Sequence, residues 1–217
     1  MSSLQKEIDA YKEAFVGKVP VELREIMLNA TKELEDVNIS KDALKAGEVM
    51  KSFTLPNALG ENINLSDVLS NNDFVVVNFY RGVWCPYCNL ELKALQSIVP
   101  ELSQLNTALI AVSPQTADAS LSTKEKNELS FEVLSDEKNK IAKNLGLVFV
   151  LAEALKPIYA KFGIDIAGLN GEDSFELPMP ATFVLNKKAE VIFAFVDEDY
   201  TKRIEPKTIL DIIAQNK

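Results

Sequence analysis

The chain has 217 residues, 47% of them apolar and 25% charged, which suits one globular domain plus an extension and excludes disordered and collagen-like chains. Its 23 basic and 32 acidic side chains leave a net charge of -9, which repels phosphate backbones and anionic lipid, so neither nucleic acid nor a membrane surface is an expected partner. No apolar run approaches the ~20 residues that span a bilayer, and the charged start Met-Ser-Ser-Leu-Gln-Lys-Glu-Ile-Asp is unlike a secretory leader, so the chain reads as cytoplasmic.

Residues 4–15 and 21–34 carry apolar side chains at helical spacing (Ile8, Tyr11, Phe15; Leu23, Ile26, Met27) on either side of Pro20, and predict a helical extension over residues 1–45. The main domain, 46–217, starts with a turn at Gly60 and a short helix for which Ser66 is the expected cap. Phe74-Val75-Val76-Val77-Asn78-Phe79-Tyr80 reads as a strand buried on both faces. From Cys88 the apolar positions Leu92, Leu95, Val99 and Leu102 predict a helix that Pro100 kinks. Strands over 108–112 and 131–134 alternate with helices over 117–129 and 138–146, as parallel strands joined by crossovers require. A helix over 151–162, a loop over 168–178, strands over 182–185 and 191–196 and an amphipathic helix over 208–215 complete the chain.

The side-chain inventory narrows the chemistry. With no histidine there is no Ser-His-Asp triad and no imidazole metal ligand, and two cysteines cannot build a multi-bridge framework. Zinc needs about four ligands, so no metal and no cofactor is expected. The two cysteines lie three apart in Tyr80-Arg81-Gly82-Val83-Trp84-Cys85-Pro86-Tyr87-Cys88. A cysteine opening a helix faces unpaired N–H groups and the positive end of the helix dipole, which favour thiolate. Pro86 suits the first helical position, and the i, i+3 spacing brings Cys88 under Cys85 within disulfide reach. Cys85 is then the more exposed, attacking sulfur and Cys88, on the buried stripe, the resolving one. Spacing alone leaves open two buried, inert thiols. The preceding strand, the proline and Trp84 beside the turn favour the redox reading.

Strand, Trp84-Cys85-Pro86-Tyr87-Cys88, kinked helix and the later Met179-Pro180-Ala181-Thr182-Phe183 together resemble the thioredoxin fold. That resemblance implies an α/β fold with a central mixed sheet flanked by helices, a cis Met179–Pro180 bond, and Met179 lining the sulfurs from the far side. Pro178 keeps open the alternative that both prolines punctuate a strand edge. Phe53-Thr54-Leu55-Pro56, Val77-Asn78-Phe79-Tyr80-Arg81-Gly82 and Val133-Leu134-Ser135-Asp136 are similar to peroxiredoxins of the AhpC/TSA group, and Glu176-Leu177-Pro178-Met179-Pro180-Ala181-Thr182 with Asp199-Tyr200-Thr201-Lys202-Arg203-Ile204-Glu205-Pro206 is similar to the bacterial peroxiredoxin-like (redoxin) proteins. Typical peroxiredoxins have threonine where Gly82 stands and proline where Asn78 stands, so the hydroxyl that holds the peroxide is missing. The arginine that stabilises the thiolate corresponds to Arg81 or Arg203, each with a solvated-surface alternative. The acid beneath the disulfide of many thioredoxins is replaced by Asn78.

The resemblance implies a thiol peroxidase in which Cys85 attacks hydrogen peroxide or an organic hydroperoxide and Cys88 closes a disulfide that a thioredoxin- or glutaredoxin-type dithiol reduces. Arg81, Trp84, Pro86, Tyr87, Met179, Pro180 and Arg203 are the supporting residues, and a homodimer is open. A thiol-disulfide oxidoreductase with little peroxidase activity, and a redox-switched interaction module, are the competing readings.

Overall fold

The computed structural model describes residues 3–217. Helix α1 (Leu4–Lys18) opens at Ser3, whose hydroxyl accepts from the Lys6 N–H, and Pro20 separates it from α2 (Val21–Asp36). The Glu205 carboxylate accepts from the Leu4 and Gln5 N–H groups at 3.2 and 2.8 Å, which ties the start of α1 to the far end of the chain. Leu4 and Ile8 are buried, so this helix is part of the core.

A hairpin of β1 (Thr54–Pro56) and β2 (Asn62–Asn64) leads into α3 (Leu65–Asn71). The expected cap at Ser66 lies two residues late. Asn64, still extended at φ -101° and ψ 128°, ends β2 and accepts from the Ser66 N–H at 2.8 Å, so one residue serves both elements.

Every residue of β3 (Phe74–Phe79) is buried, as the unbroken apolar run requires. Burying each large side chain contributes roughly 1.5–3 kcal/mol, which makes this strand the centre of the fold. It is followed by α4 (Pro86–Ser97) and α5 (Val99–Gln104), which break at Ile98 because Pro100 has no N–H to continue the ladder. Then come β4 (Thr107–Ser113), α6 (Ala117–Lys126), β5 (Glu132–Ser135) and α7 (Lys140–Asn144).

The expected helix over 138–146 starts late because Lys138 and Asn139 hold positive φ (63° and 54°). The Asp136 carboxylate, reaching the Ile141 and Ala142 N–H groups at 2.9–3.0 Å, does the capping from upstream. A side chain at Gly146 would run into the Asp42 carbonyl, so the chain turns there on a glycine with φ +68°.

The last third holds β6 (Val148–Val150), α8 (Lys156–Lys161), α9 (Ile166–Asn170), β7 (Glu176–Pro178), β8 (Ala181–Asn186), β9 (Val191–Val196) and α10 (Pro206–Gln215). In the antiparallel β6–β7 pair, β7 falls in the expected loop and β6 on residues assigned to no element, since three-residue strands leave no readable period. The helix expected over 151–162 is a 3-10 turn over Glu153–Leu155 joined to α8.

The main sheet has the order β5-β4-β3-β8-β9, with β3 parallel to β4 and antiparallel to β8. Phe74, Val76 and Tyr80 pack on one face with both cysteines, Leu92, Leu95 and Ile209; Val75, Val77 and Phe79 pack on the other with Phe53, Leu134 and Phe183. This alternation follows from the two-residue period of a strand. It sets the cysteines on the α1, α4 and α10 side.

Candidate active site

The site is built where β3 hands over to α4. Gly82 has φ +148°, and a Cβ there would lie 2.5 Å from Trp84 Nε1 and 2.7 Å from Gln115 Oε1. The Gln115 amide oxygen accepts from the Val83 N–H, and Asn89 Nδ2 donates to the Val83 carbonyl at 2.7 Å, so the turn is pinned from both sides. The indole and the amide occupy the space that a threonine side chain would need. Gly82→Ala is therefore expected to lose on the order of 1–3 kcal/mol and to shift the emission of Trp84, the single tryptophan; an unchanged urea midpoint would contradict it.

Cys85 caps α4 with φ -85° and ψ 112°, and Pro86 stands at the first turn, as the spacing suggests. Both cysteines are free, at 1% and 0% exposure. The expectation that Cys85 is the more exposed of the two is thus corrected: both are enclosed. Beside Cys85, Tyr11 of α1 packs on Tyr87 with ring centroids 5.2 Å apart, and Tyr87 packs on Tyr200 at 5.7 Å.

Burial pushes the Cys85 thiol up, but the hydrogen bond from Cys88 and the Arg81 and Arg203 charges outweigh it and bring it down to about 6. Cys88 goes the other way, raised by burial and by its proton-sharing, negatively charged neighbour, with Arg203 opposing. Opposite shifts of this kind are what an attacking and a resolving thiol require, and here they come from electrostatics instead of exposure. Absorbance at 240 nm should show one thiolate forming with a midpoint near pH 6 and the second only well above 9; a single two-proton step at 8–9 would contradict this ordering.

Both arginines are buried, against the surface alternative. Arg81 Nη2 donates to the Tyr159 hydroxyl at 2.7 Å, and its guanidinium carbon lies 4.3 Å from the Tyr200 ring centroid and 4.7 Å from that of Trp84. Arg203, between β9 and α10, donates from Nη2 to Cys88 Sγ at 3.3 Å and from Nη1 to the Tyr200 and Lys202 carbonyls at 2.5 and 2.7 Å. Its Nε pairs with Glu91 Oε2 at 2.6 Å, both side chains 1% exposed. Sequence reasoning missed Glu91. The available signal was an acid beside the apolar stripe, three residues after Cys88.

Met179 and Pro180 do not take the expected place. Among the described residues no peptide bond is cis, so Met179–Pro180 is trans. Met179 packs in the cluster on the opposite sheet face from the cysteines, and its N–H donates to the Leu147 carbonyl at 2.7 Å. Pro178 pairs with Val148 at the end of β7 and Ala181 opens β8, so the chain passes extended from strand to strand, and the two prolines punctuate strand ends.

A cavity of about 440 Å³ reaches Cys85, walled by Tyr11, Phe15, Trp84, Tyr87, Tyr159 and Tyr200. Among the described residues no group of three His, Cys, Asp or Glu side chains could hold a metal ion, and no helix is long and apolar enough to cross a membrane.

Residues 46–194 match the AhpC/TSA family. The chain belongs to that family. Peroxiredoxin Bcp of Escherichia coli is 30% identical over 104 residues, 48% of this chain and 65% of that protein, and peroxiredoxin bcp1 of Schizosaccharomyces pombe is 25% identical over 130 residues, 60% and 65%. The match thus spans just under two thirds of those relatives. Among solved structures, peroxidoxin BcpB of Mycobacterium tuberculosis superposes with a TM-score of 0.62 at 20% identity, over 80% of this chain and 99% of that one. A cysteine-to-serine mutant of PrxQ from Xylella fastidiosa gives 0.62 at 16%, over 80% and 97%. These likenesses establish the fold: an AhpC/TSA-family sheet of thioredoxin type, with α1 and α2 preceding the matched region.

Proposed function

We propose that this AhpC/TSA-family chain is a thiol-dependent peroxidase. The observation that carries the reading is Cys85 at the N-terminus of α4, buried beside two arginine charges with Cys88 one turn deeper. The Cys85 thiolate attacks the distal oxygen of ROOH; the O–O bond breaks, the sulfur becomes sulfenic acid and the leaving alkoxide takes a proton to give ROH. Cys88 then attacks Cys85 Sγ, forming the disulfide and releasing water. Two electrons and two protons from a thioredoxin- or glutaredoxin-type dithiol restore both thiols. Arg81, beside Cys85 and held by Tyr159, is the cation that steadies the thiolate and the departing oxygen, a role the missing threonine cannot share.

The aromatic walls of the cavity favour organic hydroperoxides over hydrogen peroxide. Stopped-flow mixing of reduced protein with each oxidant, read by Trp84 fluorescence, with mass spectrometry for the Cys85–Cys88 disulfide, tests this. A faster second-order reaction with cumene hydroperoxide is the expected result. No reaction with either peroxide would overturn the peroxidase reading in favour of disulfide exchange alone. The surroundings that support such a cycle are those of the cytoplasm.

A further inference from the structure

Beneath Cys88 lies a group of buried polar side chains of which the cycle above uses only the Arg203 charge. Glu91 is one turn beyond Cys88 on α4 and is 1% exposed. Arg203 joins the two, with Nε 2.6 Å from Glu91 Oε2 and Nη2 3.3 Å from Cys88 Sγ. On the sheet side, Thr182 Oγ1 donates to Glu91 Oε1 at 3.5 Å and accepts from Asn78 Nδ2 at 3.0 Å, because Asn78 and Thr182 stand opposite each other in the β3–β8 register. A carboxylate is expensive to bury even when paired, so a fully enclosed one touching the partner of a reacting sulfur asks for a chemical reason.

The charges of the site supply one. Arg81 and Arg203 balance a Cys85 thiolate and a Glu91 carboxylate. When Cys85 becomes sulfenic acid its negative charge disappears, which leaves Glu91 facing an excess of cation and favours its ionised, proton-accepting form. When the disulfide reopens, the new charge on Cys88 favours the proton-holding form. We propose that Glu91, oriented by Arg203, takes up and returns the Cys88 thiol proton as the Cys85–Cys88 disulfide closes and opens.

In closure, the Cys88 S–H bond breaks towards Glu91, the sulfur lone pair forms the S–S bond, and the Cys85 S–O bond breaks. The departing hydroxide takes the proton, so that Cys85–SOH and HS–Cys88 give the disulfide and water with Glu91 again a carboxylate. In opening, a reductant thiolate bonds to Cys85 Sγ, the S–S electron pair goes to Cys88, and Glu91, protonated from solvent, delivers the proton there. Burial raises the Glu91 carboxyl, Arg203 opposes it and Cys88 adds to it, placing it at about 7, where it can both accept and donate. The groups facing it are Arg203 from the segment after β9, Cys88 with Cys85 behind it on α4, Asn78 from β3, and Thr182 from β8, of which Asn78 and Thr182 do not titrate.

The proposal rests on the disulfide cycle of the peroxidase reading but not on its oxidant, so the test makes the disulfide with stoichiometric diamide and opens it with dithiothreitol. The measured quantity is the ratio of the wild-type opening rate to that of Glu91→Gln from pH 5.5 to 8.5, in which the ionisation of dithiothreitol cancels. A loss on the order of 10²-fold is expected, with a ratio that changes through pH 7 and with partial recovery in Glu91→Asp. A ratio within twofold of one, or one flat with pH, would overturn the proposal, whereas failure of diamide to form any Cys85–Cys88 disulfide would overturn the cycle itself. Should Glu91→Gln not fold, reduced-minus-oxidised infrared difference spectra of wild-type protein labelled with ¹³C-glutamate decide: a shifted carboxyl C=O band supports the proposal, and no carboxyl change on redox cycling refutes it.

Discussion

Replacing Cys85 with serine is expected to cut peroxide consumption by roughly 10⁴-fold or more, the scale on which an enzyme loses rate with its nucleophile, because an alcohol cannot supply the thiolate held near pH 6 in this site. Cys88→Ser should behave differently. Its Cys85 still has the helix N-terminus, Arg81 and Arg203, and the serine hydroxyl can donate in place of the Cys88 thiol, so one equivalent of peroxide is consumed and the protein stalls as a sulfenic acid, with no partner sulfur to complete the cycle. The two outcomes separate cleanly: steady-state turnover is lost in both variants, whereas the first turnover, followed by Trp84 fluorescence and dimedone labelling of Cys85, survives only in Cys88→Ser. A first turnover lost equally in both would mean that neither sulfur is preferentially activated, and the assignment of roles from their opposite electrostatics would be wrong.

The second large effect concerns stability. Arg203→Met keeps an unbranched apolar stem but removes the cation from a fully enclosed pair, and breaking such a pair by deleting one partner costs about 3–5 kcal/mol. The loss has a sign with pH. Glu91 already binds its proton more tightly in the fold, at about 7, than the ~4.3 of an unfolded chain, and removing Arg203 moves the folded value further up. Between the unfolded and folded values the native state holds a proton that the unfolded state has released, so stability falls as pH rises through that window. The deficit of Arg203→Met is accordingly smaller at pH 5, where Glu91 is largely neutral in the fold, than at pH 8. Urea denaturation at the two pH values measures it, and the same samples should show the Cys85 thiolate midpoint displaced upward, since Arg203 is one of the charges that lower it. A deficit under about 1 kcal/mol at both pH values, as typical of exposed pairs, would mean the ion pair is effectively solvated.

What the sequence determined by itself is what neighbouring residues enforce on one another. The unbroken run from Phe74 to Phe79 admits little but a strand covered on both faces; Pro86 two residues before Cys88 starts a helix at the sulfurs; Pro100 ends it; and the absence of histidine leaves cysteine as the nucleophile for redox work. Each of these is a local steric or hydrogen-bonding rule acting over a few residues. The tertiary structure alone decided the rest. Arg203 meets Cys88 from 115 residues away and Thr182 meets Glu91 from 91, distances along the chain over which no periodicity carries information and which only the β3–β8 register and the return of the chain after β9 can close. The same holds for α1, whose pattern announced an apolar face but not that it would join the cluster that holds the cysteines. Met179–Pro180 went against the family resemblance because β6, a three-residue strand with no readable period, pairs with β7 and draws the chain out extended just before it. Local sterics thus wrote the elements and the reactive turn, while the packing of distant elements placed two arginines and a carboxylate around the sulfurs, because charges pair across space and not along the chain.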